Sequence, residues 1–215
     1  TVKKTPLVAF SRPRAAGIIA VDLEPGEKLV GVAITDGTRD VMLFSSEGKA
    51  IRFHEDDVRA MGRNAAGVRG IRLPEGEQVI SLIIPDPDGL ILTASENGYG
   101  KLTPVDEFPG HGRGGQGVIA IQTSERNGRL VAAVQVATTD ELMLMSSNGT
   151  LVRTRASEIS ILGRNTQGVR LIRLDDGERL IGVEPVEPEN GEGDEVSPEE
   201  PAAGDGASTE PSSPA

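Results

Sequence analysis

The chain contains no cysteine and no tryptophan, and aromatic residues make up only 2% of its 215 positions. Without cysteine there are no disulfides, no thiolate metal sites and no cysteine nucleophile, which fits a reducing compartment. Two histidines and one tyrosine, Tyr99 in a segment that reads as a turn, assemble no catalytic set. The scarcity of aromatics argues against stacking on single-stranded bases. No apolar run approaches the length a membrane helix needs, and no signal-peptide pattern opens the chain. No stretch carries helical periodicity, so no recognition helix for base reading is expected. The chain opens on Thr1, and TVKKT reads like the interior of a repeat, so a piece of a longer protein is expected.

Charge is unevenly distributed. The formal net charge is −11, yet residues 184–215 carry ten carboxylates and no Lys or Arg. That leaves 22 basic against 23 acidic residues in 1–183, a near-neutral body. The Pro/Gly/Ser/Glu-rich segment 187–215 has almost nothing to bury and reads as a disordered acidic tail. Beside a surface that binds a polyanion, such a tail would compete for it.

What the sequence does have is repetition. MGRNAAGVRGIRL at 61–73 returns as LGRNTQGVRLIRL at 162–174, with fainter copies at 111–123 (HGRGGQGVIAIQT) and 13–23 (PRAAGIIAVDL). The motif glycines are Gly17, Gly67, Gly117 and Gly168, spaced 50, 50 and 51. A second series, SSEGKAIRF, SENGYGKLT and SSNGTLVRT, has its glycines at 48, 98 and 149, again 50 and 51 apart. Two registers sharing one period define a true internal repeat.

Each period reads as strand throughout. A short apolar stretch follows the motif glycine, then a Gly/Glu/Asp turn, then a run such as LVGVAIT, VISLIIP, LVAAVQV or LIGVEPV. DVMLFSS, GLILTAS and ELMLMSS come next, each closed by an E-G or N-G turn suited to a hairpin. A mixed run (KAIRF, YGKLT, TLVRT) completes the set. Four short strands every 50 residues predict an all-β propeller or pinwheel of stacked four-stranded blades. The expected division is a partial pinwheel over 1–186 and the tail over 187–215. The pinwheel holds a leftover strand at 1–11 and blades at about 12–60, 61–110, 111–161 and 162–186. Tryptophan–aspartate and kelch propellers lean on aromatic residues that are missing here.

GRNTQGV, VRAMGRNAAGVRGIRL, NGYGK and GTLVRTRASEIS together resemble the C-terminal DNA-wrapping domain of the A subunit of bacterial DNA gyrase, and the resemblance spans residues 1 to about 186. It implies a pinwheel of about six blades that exchange an outer strand, of which this chain would hold the last four. The family's signature box, QRRGGKG, has its nearest counterpart at His111–Gly117, where Gly112 replaces an arginine and Gln116 the lysine. Further implications are binding and bending of duplex DNA without catalysis, in support of negative supercoiling. The partners would be the gyrase B subunit together with the remainder of the A subunit, with ATP and Mg2+ bound by other domains, in the bacterial cytoplasm at the nucleoid. The equivalent domain of topoisomerase IV, and a protein-interaction propeller, are the alternatives.

The candidate DNA-binding residues follow the repeat. Four positions before the motif glycine stand Arg63, Arg113 and Arg164, while the first unit has Arg12 and Arg14 flanking Pro13. On the last strand of each period, equivalent places hold Lys4, Arg52 and Arg153, with Lys101 beside the place held by Leu102. A rim that repeats a cation can follow duplex phosphates, whose neutralisation releases counterions and gives sequence-independent affinity. The competing reading is that these side chains pair with carboxylates such as Glu55, Asp56 and Glu158. Arg69, Arg72, Arg170 and Arg173 lie within the first strand and read as structural or ion-paired. GRGGQG at 112–117 fits a dinucleotide pattern but precedes a strand where a helix is required. FHEDD at 53–57 reads as a solvated loop and PDPDG at 85–89 as a hairpin turn. No catalytic, cofactor or metal residues are assigned.

Overall fold

The computed structural model describes residues 1–186; the acidic tail expected at 187–215 lies outside the described residues. The second series of glycines makes three hairpins. These are β1 (Asp40–Ser45) with β2 (Lys49–His54), β4 (Leu90–Ser95) with β5 (Tyr99–Pro104), and β8 (Glu141–Ser146) with β9 (Leu151–Arg155). Each pair is joined by a short loop containing the turn glycine. At the first, Gly48 takes φ +76° and donates its N–H to the Ser45 carbonyl at 3.0 Å. A three-residue loop with a left-handed last residue matches the twist of the flanking strands.

The remaining strands are β3 (Val79–Ile83), β6 (Val118–Ile119), β7 (Leu130–Val136), β10 (Val169–Arg170) and β11 (Leu180–Val186). They do not stay with the hairpin of their own period. The sheets run β3-β1-β2-β6, β10-β5-β4-β7 and β11-β8-β9. Each hairpin is thus flanked on one side by a strand from the following period. In the first two sheets its other side holds the two-residue motif strand from the period after that. Residues 1–4 repeat this arrangement in miniature, since Val2 bridges Val68 antiparallel.

Alternating side chains explain the Leu-rich strands. On β1, Met42 and Phe44 face the second sheet and pack with Ile91, Phe108, Ile121 and Leu130. Leu43 points the other way, into a cluster with Ile51, Phe53, Val58 and Ile71. Leu92, Leu102, Leu142 and Leu144 fill the space between the second and third sheets. Sheets buried on both faces need apolar residues at successive positions, which accounts for VMLF and LILTA. Phe44 and Phe108 meet edge to face, with centroids 6.0 Å apart and planes at 74°. Such a pair adds about 1 kcal/mol beyond its burial.

The ends depart from the predicted four strands per period. Residues 29–35, LVGVAIT, form no strand, and Leu29, Val30, Val32 and Ile34 are exposed. Their counterparts β3, β7 and β11 each pair with a hairpin strand roughly forty residues earlier in sequence. At the other end, β9 has a neighbour on one side only among the described residues, and its Leu151 is 61% exposed.

Candidate nucleic-acid interface

Each motif glycine after the first is held against the strand it pairs with. A Cβ on Gly117 would lie 2.3 Å from the Ala50 carbonyl oxygen, and one on Gly168 2.5 Å from that of Gly100. The loop before the glycine is therefore fixed relative to a hairpin two periods upstream, and it carries the motif arginine.

The three arginines make one repeated contact. Arg63 Nη1 donates to the Ile19 carbonyl, Arg113 Nη1 to that of Arg69 at 3.1 Å, and Arg164 Nη1 to that of Ile119 at 2.9 Å. Ile19, Arg69 and Ile119 all stand two residues after the motif glycine of the preceding period. Arg113 Nε adds a bond to the Asp57 carbonyl at 2.7 Å. The arginine thus bridges successive motif loops, and equivalent bonds give the three equivalent places. A carbonyl satisfies one donor of a guanidinium but leaves its full charge uncompensated. Among the described residues no carboxylate lies within ion-pair distance of these three guanidinium groups. The Arg164 backbone N–H donates to Glu107 Oε2 at 3.0 Å, and its Nε is buried without a partner.

Lysines secure the same loops from behind. Lys3 Nζ donates to the Arg63 carbonyl, and Lys101, two periods later, donates to those of Gly163 (2.6 Å) and Arg164 and to Thr166 Oγ1 (3.0 Å). The spacing puts Lys101 among the rim cations. The structure puts it inside, with no exposed surface and its ammonium enclosed by loop oxygens. Burial pushes its pKa down to about 8, against the upward pull of Glu107.

Lys4, Arg52 and Arg153 meet carboxylates instead. Lys4 lies 3.7 Å from Glu55 and 3.3 Å from Asp56, and Arg52 2.7 Å from Asp40. Arg52 also donates to the carbonyls of Val105 and Phe108. Arg153 pairs with Glu141, which Arg155 approaches at 3.7 Å. Glu55 is 3% exposed. Burial opposes its charge, but the N–H groups of Arg39 and Gly37, the Thr35 hydroxyl and Lys4 together hold its pKa below the ordinary value. In the same FHEDD segment, His54 Nδ1 accepts from the Asp56 N–H.

Arg12 and Arg14 are exposed and have no carboxylate partner among the described residues. With Arg63, Ser11 and Asn64 they line an open groove of about 570 Å3. This groove is the densest grouping of uncompensated cations at the motif positions. Arg69, Arg72 and Arg173, expected to be structural or ion-paired, also have no carboxylate within ion-pair distance among the described residues. Tyr99, expected in a turn, begins β5 and is 9% exposed. Arg126 stands outside the sequence candidates, Arg170 reads there as structural or ion-paired, and Lys3, like Lys49 and Arg155, fits either the binding or the structural group. Lys3 was readable from its equivalence to Lys101; Arg126 sits in a turn whose extra length was the available signal.

The model of the DNA gyrase C-terminal domain, a beta-propeller, matches residues 1–36, 39–86, 89–137 and 140–187 in four successive repeats. The DNA gyrase A subunit of Pseudomonas aeruginosa is 60% identical over 195 residues, covering 91% of this chain and 21% of that protein. Its Escherichia coli counterpart is 54% identical over 194 residues, covering 88% and 22%. The chain therefore spans about a fifth of the length of these relatives. Among solved structures, a DNA gyrase A C-terminal domain superposes with TM-score 0.72 at 29% identity, over 79% of this chain and 58% of that one. The C-terminal domain of a DNA topoisomerase IV gives TM-score 0.80 at 26% identity, over 86% and 58%.

Proposed function

The chain belongs to the DNA gyrase C-terminal domain family, and on that premise we propose that it binds duplex DNA through phosphate contacts and bends it around the stacked sheets. Its role is non-catalytic. It holds a DNA segment for a parent enzyme in which the B subunit, with the remainder of the A subunit, carries out strand passage; ATP and Mg2+ are bound by other domains. The setting is the bacterial cytoplasm, at the nucleoid.

The observation that carries this reading is the contrast between two sets of cations. Arg52, Lys4 and Arg153 are matched by Asp40, Glu55 and Glu141, whereas Arg63, Arg113 and Arg164 are anchored by neutral carbonyls. An anchored guanidinium loses little further freedom on binding and keeps its remaining N–H donors for a phosphate oxygen. Repetition at one place per period suits a backbone whose charges recur regularly. Arg12 and Arg14 extend the series at the first unit. Hydrogen bonds to phosphate position the duplex without reading bases, so any sequence preference comes from the ease of bending.

Five such arginines contribute about −4 to −5 to the log–log salt slope. Through these alone, a fourfold rise in salt weakens binding by roughly 500-fold. Mobility-shift titration of random-sequence duplex at several salt concentrations tests this. Changing Arg63, Arg113 and Arg164 to Gln keeps an amide donor for the carbonyl while removing the charge. The triple variant should flatten the slope by about 3 units and lower affinity alike on unrelated sequences. An unchanged slope would return these arginines to a purely structural role, and no binding at low salt would favour a protein-interaction module.

A further inference from the structure

Tyr99 is the only tyrosine of the chain, and two arginines converge on it. The Arg126 guanidinium carbon lies 4.6 Å from the ring centroid and that of Arg170 5.5 Å. Arg170 Nη2 donates to the phenol oxygen at 2.9 Å. Both arginines are exposed, whereas the tyrosine beneath them is 9% exposed. Arg126 Nη1 meets the neutral Gln167 Oε1 at 3.4 Å. Among the described residues neither guanidinium has a carboxylate within ion-pair distance.

The grouping is built by a local departure from the repeat. From motif glycine to turn glycine the chain takes nine residues in three units (17 to 26, 67 to 76, 168 to 177), but eleven from Gly117 to Gly128. The two extra residues make room for Arg126. Asn127, fully buried, locks this longer turn: its Oδ1 accepts from Ser124 N–H at 2.8 Å and its Nδ2 donates to the carbonyls of Gln122 and Gln167. Asn97 Nδ2 donates to the carbonyls of Glu125 and Arg126. Arg170 arrives separately, on β10, paired with β5 at Arg170–Tyr99. Two cations from different periods are thereby held on one aromatic ring. The ring's negative face offsets part of their repulsion, and an anion between them would remove the rest.

Resting on the reading of the chain as a duplex-DNA binder, we propose that Arg126, Arg170 and Tyr99 form a fixed clip for one backbone phosphodiester, apart from the series of motif arginines. Its two non-bridging oxygens take one guanidinium each, and the phenol, which accepts from Arg170, keeps its own O–H to donate. Lys49 and Thr150 occupy the equivalents of Tyr99 in the neighbouring hairpins, so the clip occurs once and marks a particular point on the rim.

The chain supplies its own reporter, because no other tyrosine and no tryptophan contributes to the tyrosinate absorption band. Hydrogen bonds from Arg170 and then Arg126 already lower the phenol pKa below its ordinary value. Random-sequence duplex DNA added to the full chain should raise that pKa, since a phosphate adds negative charge and draws the guanidinium donors away. The Arg126→Gln/Arg170→Gln double variant should fold normally by thermal melting. It should show a phenol pKa nearer the ordinary value without DNA and a salt slope flatter by about 2 units in mobility-shift titration. If DNA leaves the wild-type tyrosinate titration unmoved, or the variant retains the whole slope, the clip is wrong while duplex binding stands. If the wild-type chain fails to bind duplex at low salt, both readings fall.

Discussion

Replacing Gly117 by alanine tests the junction on which the interface is mounted, and Gly17→Ala is its internal control. Both residues occupy the motif glycine position and both have positive φ, +70° and +79°. An L-residue in that region costs about 1–2 kcal/mol. Around Gly17 nothing lies within 4 Å of an added Cβ, so this cost is the whole of the expected effect. At Gly117 the new methyl would meet the Ala50 carbonyl oxygen at 2.3 Å and its carbon at 2.8 Å. Relief requires β6 to move off β2 by on the order of 1 Å, since ordinary carbon–oxygen contacts lie near 3.3 Å. That displacement breaks the pairing of Ala50 with Val118 and threatens the bonds from Ala120 and Ile121 N–H to the Gly48 carbonyl. Two backbone bonds at about 1 kcal/mol each, with the dihedral cost, give roughly 3–4 kcal/mol. In urea titrations with unchanged m, Gly117→Ala should lose two to three times as much stability as Gly17→Ala. Thermal midpoints should fall by about 10 °C and 4 °C respectively, at 2–4 °C per kcal/mol for a domain of this size. Equal losses would mean that the motif strand does not sit closely on the hairpin, and the fixed placement of Arg113 would lose its basis.

Lys101 gives a pH signature. Its pKa is lowered to about 8 in the folded chain from 10.5, so between those values the unfolded chain holds more protons and stability rises with pH. Compared with Lys101→Met in denaturant titrations, the wild type should gain up to a few kcal/mol across that window, and a constant difference would refute the burial of the ammonium. Phe108→Ala removes the ring that meets Phe44 between the first two sheets and should cost about 3–5 kcal/mol in the same assay, a loss below 1 kcal/mol being incompatible with that packing. Ending the chain at Val186 removes nine carboxylates and should tighten duplex binding, most of all at low salt; an equal or weaker affinity in mobility-shift titration would reject the tail as a competitor.

The period, the hairpins and the turn glycines were legible because each follows from local chemistry. Gly48, Gly98 and Gly149, each in an E-G or N-G step between apolar runs, sit in hairpin loops, whereas the like steps Glu75-Gly76 and Asn127-Gly128 precede strands that pair elsewhere. Which strand lies beside which hairpin was not legible, because a partner one or two periods away satisfies the same alternation as one in the same period. LVGVAIT at 29–35 shows the limit: its composition matches β3, β7 and β11, yet it forms no strand. For the candidate interface, the repeat located the motif arginines but not their acceptors, which are backbone carbonyls and leave no trace in sequence. Lys101 and Leu102 are adjacent letters, and only the pleat decides which side of the sheet each faces; both proved buried. The carboxylates opposite Arg52 and Arg153, Asp40 and Glu141, stand twelve residues before each cation, a distance that means nothing until the hairpin register is known.

The interlacing of periods has a consequence for how the protein is made. The edge of β2 at Lys49 and Ala50 is closed only by Val118 and Ile119, more than sixty residues later. On a ribosome adding 5–20 residues per second, that edge waits roughly 3–13 s for its neighbour. Throughout the interval it offers unpaired N–H and C=O groups to any extended segment nearby, including the same stretch of another nascent chain. Assembly therefore proceeds with a moving gap that trails synthesis by more than a full period, and misjoining of periods is the error this design must outrun.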